Sequence, residues 1–170
     1  AALARLGIAV LRFDFSGLGE SEGDYGAGGF GSDVEDLVAA ADWLAREHGA
    51  PSLLIGHSLG GTAVLHAAAR LDYVIAVATI GAPAVAKHAL AQIKPLTDAA
   101  ELARDRVEVE LGQRRFSLTR RFIEELAAAD DPSVIRQLGA ALLVMHAPGD
   151  AVVGIGEAHR IFTLAEHPRS

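Results

Sequence analysis

"LLIGHSLGGTA", residues 53–63, decides how the chain is read. An apolar run, Leu53–Ile55, stops at Gly56, and a serine follows two residues later between further glycines. An alanine-rich run then begins. Gly56-His57-Ser58-Leu59-Gly60 has the form G-x-S-x-G. In a nucleophile elbow, small residues two positions either side let the chain double back, which lifts the serine hydroxyl above a sheet. With 18 glycines and 8 serines in 170 residues, the pattern arises by chance roughly once in ten such chains. The strand pattern before it and the helix pattern after it favour a nucleophile at Ser58 over a turn with an N-capping serine.

Outward from this stretch the chain alternates between strands and helices. Residues 8–13, "IAVLRF", read as a short buried strand that leads into a glycine-rich loop, residues 14–31. Ser32 with Glu35 forms a capping-box pattern, followed by the apolar stripe Val34, Leu37, Val38, Ala41, Leu44 and Ala45 at helical spacing. Leu53–Ile55 is the next strand, Leu59–Arg70 a helix and Tyr73–Ile80 another strand. Near-continuous apolar strands alternating with helices predict an α/β fold, a mostly parallel sheet with helices on both faces. Residues 84–138 change texture and read as a mainly helical cap insertion, with Asp98 and Asp131 as N-caps and a hairpin around Gly112. "ALLVMHAPGD", residues 141–150, restores the strand pattern, and a helix is expected near residues 155–166. No repeat or interdomain linker interrupts the chain, so residues 1–170 read as a single partial domain.

Composition narrows the partners. The formal net charge is −7, without a block of lysine or arginine, which argues against nucleic acid and anionic membrane. No apolar run is long enough to span a bilayer. The chain has no cysteine, which excludes disulfides and thiolate chemistry and fits a cytoplasmic location. It opens on alanine, and its sole methionine is Met145. Both ends read as abrupt, so a fragment is expected.

A serine hydroxyl is a weak nucleophile at neutral pH and needs a base, which in turn needs an acid to fix its tautomer. Asp150 follows the 141–145 run, at the carboxyl end of a strand, where the active sites of such sheets gather. It is the expected acid, with Glu157 in reserve. The expected order is serine, acid, histidine, yet His48, His57, His66, His88 and His146 all precede Asp150. His57 reads as packing beside the nucleophile and His146 as structural. His159 falls inside the predicted helix, and His167 begins what reads as a further strand.

With the elbow, Asp150 and "RFDFSGLGESEGD" (residues 12–24) taken together, the chain resembles the α/β-hydrolase superfamily. The likeness is greatest to the bacterial hydrolase domain fused to an osmotically inducible protein C (OsmC)-type domain. The family stretch R-x-D-x-G-x-G-x-S is matched with small changes by Arg12, Asp14, Gly17, Gly19 and Ser21. The resemblance implies an α/β-hydrolase fold containing strands four to seven of eight, with a cap over residues 84–138. Strands one to three would precede Ala1. The eighth strand and the catalytic histidine would follow Ser170, and a C-terminal OsmC-type domain would belong to the parent protein. Leu59 N–H would supply one oxyanion-hole donor, and the loop after strand three the other. The implied reaction is hydrolysis of a small acyl substrate by a Ser58–Asp150–histidine triad, without cofactor or metal.

Three other readings compete. Gly26–Gly31 matches G-x-G-x-x-G, but a dinucleotide fingerprint belongs directly after a strand, and here the predicted strand ends about ten residues earlier. Metal-dependent hydrolysis fares no better: there is no H-E-x-x-H, and His146 with Asp150 alone is too small a donor set. The third alternative is a catalytically inactive binding module that keeps the fold without the chemistry.

Overall fold

A computed structural model describes residues 2–95, 105–111 and 114–170. A short helix, α1 (Ala2–Arg5), is closed by turn hydrogen bonds to the carbonyls of Leu3 and Ala4. Residues 8–13 then depart from expectation: they form no ladder among the described residues. Ile8, Val10, Leu11 and Phe13 are 38–53% exposed. Their composition matches a buried strand, but burial requires a neighbouring strand and a covering face, and neither lies beside this run among the described residues.

The loop that follows is held by its own motif residues. Ser21 Oγ donates to the Asp14 carbonyl, Glu20 N–H to the Asp14 carboxylate, and Gly17 N–H to the Glu22 carbonyl. Ser16 ties the loop to the next helix through two hydrogen bonds to Asp36. After a 3-10 turn at Tyr25–Ala27 comes α2 (Phe30–Glu47). It starts two residues before the predicted Ser32 cap, with Gly29 as N-cap and no side-chain capping bond. Glu35 does not close a capping box. Its carboxylate forms a bidentate pair with Arg70 instead, and the longer helix buries Phe30 edge-on against the His66 ring.

The central sheet consists of β1 (Leu53–His57), β2 (Ala76–Ile80) and β6 (Ala141–Met145), all parallel, in the order β1-β2-β6. Between β1 and β2 runs α3 (Leu59–Ala68), whose buried Leu65 joins Val77 and Leu142 in the core. Strand alternation sends Leu54, Val77 and Leu142 to this face. On the opposite face Ile55, Ile80, Leu143 and Met145 stay 38–47% exposed. Beyond β6, Pro168 and Ser170 exchange hydrogen bonds with Leu142 and Val144, extending the parallel pairing as the sequence around His167 suggested.

The 84–138 insertion is mixed, where a mainly helical cap was expected. A 3-10 helix (Ala86–Gln92) leads into an antiparallel sheet of β3 (Ile93–Pro95), β4 (Arg106–Leu111) and β5 (Arg114–Thr119). The expected hairpin is therefore present in its two strands, while Gly112 and the Asp98 cap lie outside the described residues. Val107, Val109 and Leu118 alternate inward and are buried. Helices α4 (Arg120–Ala128) and α5 (Ser133–Arg136) complete the insertion. Asp131 accepts the Ser133 N–H, so α5 begins one residue later than predicted. Tyr25 stacks between Phe116 and Phe122, which fastens the insertion to the loop before α2. Finally α6 (Ile155–Leu164) packs Ile161 into the shared core. No helix among the described residues is long and apolar enough to cross a membrane.

Candidate active site

Ser58 stands between the last residue of β1 and the first of α3 with φ +53°. Among the described residues no other non-glycine residue has a positive φ. Such a conformation costs on the order of 1–3 kcal/mol and persists only where the surroundings impose it. They do so from both sides. Ser58 N–H donates to the Ile80 carbonyl at 2.9 Å, and the Ser58 carbonyl accepts Gly61 N–H at 2.8 Å. The turn also closes tightly: a Cβ at Gly56 would stand 2.2 Å from the Gly60 carbonyl oxygen. Gly61 is equally constrained, since a Cβ there would meet the Ala82 Cβ at 2.5 Å. Sequence reasoning singled out Gly60 and passed over Gly61. The signal was the doubled glycine, "GG", at positions 60 and 61.

Ser58 is half-buried, and its Oγ has no hydrogen-bond partner among the described residues. Leu59 opens α3, and amides in a helix's first turn have no partner within the helix. Its N–H is thus free in principle to meet an oxyanion. The His57 side chain, by strand alternation, lies on the exposed sheet face with Ile80 and Met145.

Asp150 lies in the loop after β6. Its Oδ1 accepts two backbone N–H groups, from Val152 and Val153, each at 2.9 Å. These bonds, Val153 first, hold the carboxyl below the usual carboxylate range, and the nearby His146 and His57 add to the effect. Asp150 is therefore ionised at neutral pH, with Oδ2 left to accept a further bond. A Cβ at Gly81, where φ is +54°, would come within 3.2 Å of that Oδ2 and 4.0 Å of His57 Nε2. Gly81 N–H also donates to the Met145 carbonyl. Ser58, Gly81 and Asp150 accordingly follow the carboxyl ends of three adjacent parallel strands.

The remaining histidines are engaged elsewhere or exposed. His146 Nε2 bonds the Val153 carbonyl at 2.7 Å, the structural role expected of it. His66 faces Phe30, where burial pushes its imidazole pKa down, and His48 faces Trp43. His159 and His167 are exposed. Glu157, the reserve acid, accepts the Ala84 N–H and stands 3.9 Å from His88 Nδ1. No histidine among the described residues hydrogen-bonds Ser58 Oγ or the Asp150 carboxylate.

The glycine-rich segment 26–31 serves the insertion rather than following a strand: Thr119 Oγ1 donates to the Gly26 carbonyl. A cleft there, lined by Asp24, Asp33, Asp36, Arg121 and Glu125, includes neither Ser58 nor Asp150. Among the described residues no group of three or more histidines and carboxylates is placed to hold a metal ion.

Residues 1–144 match the model of the family Hydrolase_4, described as serine aminopeptidase, S33. The mouse mitochondrial palmitoyl-protein thioesterase ABHD10 is 41% identical over 80 residues, which is 46% of this chain and 26% of that protein. The crystal structure of an esterase domain from a Rhodothermus marinus protein superposes with a TM-score of 0.69 at 41% identity, covering 94% of this chain and 60% of that one. Est1E from Butyrivibrio proteoclasticus, solved with ferulic acid, gives a TM-score of 0.71 at 17% identity, covering 89% of this chain and 61% of that one, a likeness of fold alone. The chain thus spans about three-fifths of the solved relatives' length.

Proposed function

Because the chain belongs to the Hydrolase_4 family, serine aminopeptidase S33, and has an α/β-hydrolase fold, we propose that it carries the nucleophile and acid of a serine acyl hydrolase. The observation that supports this most is the strained φ of Ser58 at the strand-to-helix turn. In the proposed reaction Ser58 Oγ attacks the acyl carbonyl and gives its proton to an imidazole. Asp150 Oδ2 accepts the other N–H of that ring and so fixes its tautomer. Leu59 N–H stabilises the oxyanion. The leaving group takes the proton from the imidazolium, and a water molecule, activated by the same ring, releases the acid.

The base and the second oxyanion-hole donor are not supplied by the described residues, and the base is assigned to a histidine outside residues 1–170. Esters and thioesters are the proposed substrates, by analogy with the Rhodothermus esterase domain and the mouse thioesterase. The insertion, residues 84–138, would shape the acyl pocket. An inactive binding module is the second reading, favoured by the lack of a histidine partner on Ser58 among the described residues.

Supplying the base from solution separates the two. Removing the base from a serine triad costs roughly 10⁶-fold in kcat, so the chain alone should turn over activated esters negligibly. Added imidazole should restore turnover of oxygen esters and acyl thioesters beyond that of a Ser58→Ala blank. Identical rates with the blank at every imidazole concentration would favour the binding module.

A further inference from the structure

We propose that His146 is a positioning residue for Asp150: its Nε2–H, bonded to the Val153 carbonyl, holds the 150–153 loop so that Asp150 Oδ2 stays open to a base. This rests on the reading of Asp150 as the acid of the proposed site.

The His146 side chain is 2% exposed. Its Nε2 lies 2.7 Å from the Val153 carbonyl oxygen, and since a carbonyl can only accept, Nε2 carries the proton. Nδ1 is buried without a partner. The bond to Val153 thus selects the Nε2–H tautomer and leaves Nδ1 bare. Even that form leaves an orphaned lone pair, a cost that an apolar side chain of similar shape would avoid. What the imidazole supplies in return is the Nε2–H.

That donor grips the residue that grips Asp150. Val153 offers its carbonyl to His146 and its N–H to Asp150 Oδ1, so one peptide segment is fixed from both ends. Val152 N–H adds the second bond to Oδ1. His146 Nε2 is 3.8 Å from Asp150 Oδ2, too far for a hydrogen bond. The positive end of the N–H dipole therefore favours the carboxylate without occupying the oxygen a base would need. Among the described residues, the titratable groups acting on Asp150 are His146 and His57, the latter from the end of β1.

The test compares the 170-residue chain with His146→Leu and His146→Gln, all checked for fold by circular dichroism. Two readouts are used: amide exchange at Val152 and Val153, and the titration of the Asp150 carboxyl followed by its carbon chemical shift. Loss of one hydrogen bond should speed both amides by roughly three- to tenfold in the leucine variant. It should also raise the Asp150 midpoint toward the ordinary carboxylate value. Glutamine, whose side-chain amide can reach the Val153 carbonyl, should restore both. Leucine indistinguishable from histidine, or glutamine failing as leucine does, would overturn the proposal. If the leucine variant does not fold, nitrogen shifts of the unaltered chain decide. A protonated Nε2 with a bare Nδ1 is expected, and the opposite tautomer overturns it. No readout requires Ser58 to react, so an inert Ser58 and a misassigned His146 give different results.

Discussion

Asp33, in the first turn of α2, is 4% exposed, and its carboxyl has no hydrogen bond among the described residues. Burial, reinforced by the neighbouring Asp36 charge, pushes its pKa up to about 7. Between about pH 4 and 7 the folded chain thus holds a proton that the unfolded chain has released, so this group's contribution to stability falls as pH rises through that window. Asp33→Asn keeps the shape without the charge. It should stabilise the chain at pH 8 by roughly 2–4 kcal/mol and by much less at pH 5, read from urea unfolding at both values. An equal effect at the two pH values would contradict the burial argument. Ser58 and Asp33 differ in legibility for a physical reason. The G-x-S-x-G spacing states the turn that Ser58 must make, whereas Asp33 shares a cleft with Tyr25 and with Arg121 and Glu125 of the distant insertion, a neighbourhood that no local pattern records.

At the scale of elements, local patterns located the hydrogen-bonded ladders better than the caps. The three central strands and the β4–β5 hairpin follow from apolar runs and alternation. α2 starts ahead of the Ser32 cap that the local pattern predicts, because Glu35 pairs with Arg70, a partner 35 residues away, and closes no capping box. Thr119 shows an effective cap that the sequence reading passed over. Its Oγ1 accepts the Phe122 N–H at the start of α4 and donates to the Gly26 carbonyl. Thr119→Ala should therefore cost about 1–2 kcal/mol, while Thr119→Ser, which keeps the hydroxyl, should cost less than half of that. Chemical denaturation of both variants checks the ordering, and equal losses would assign the effect to the methyl group.

For the whole molecule, stability is concentrated on one face of the sheet. Leu65 is fully buried between the helices and that face, whereas Ile55 on the other face is 47% exposed. Leu65→Ala should cost about 3–5 kcal/mol and Ile55→Ala under about 2 kcal/mol, again from denaturation midpoints. Similar costs would mean that the second face is covered in solution. Residues 8–13 stay exposed for a related reason: an apolar run states that a surface wants burial, not that a neighbour is present among the described residues to bury it. The places of Ser58 and Asp150 after the carboxyl ends of parallel strands were legible in the α/β pattern, whereas the strand order and the place of Gly81 between them come from the ladder. The antiparallel sheet inside the insertion was only half visible, because its turn and flanks carry no strong signal.

The central claim is that Ser58 is the nucleophile, and covalent labelling tests it most directly. The chain should be treated with an alkyl fluorophosphonate in imidazole buffer, digested and mapped by mass spectrometry, beside Ser58→Ala and Asp150→Asn. One adduct is expected, on the peptide carrying Ser58, absent from the alanine variant and formed far more slowly in the asparagine variant. An adduct on another residue, or labelling of the Ser58→Ala chain at the unaltered rate, would contradict it.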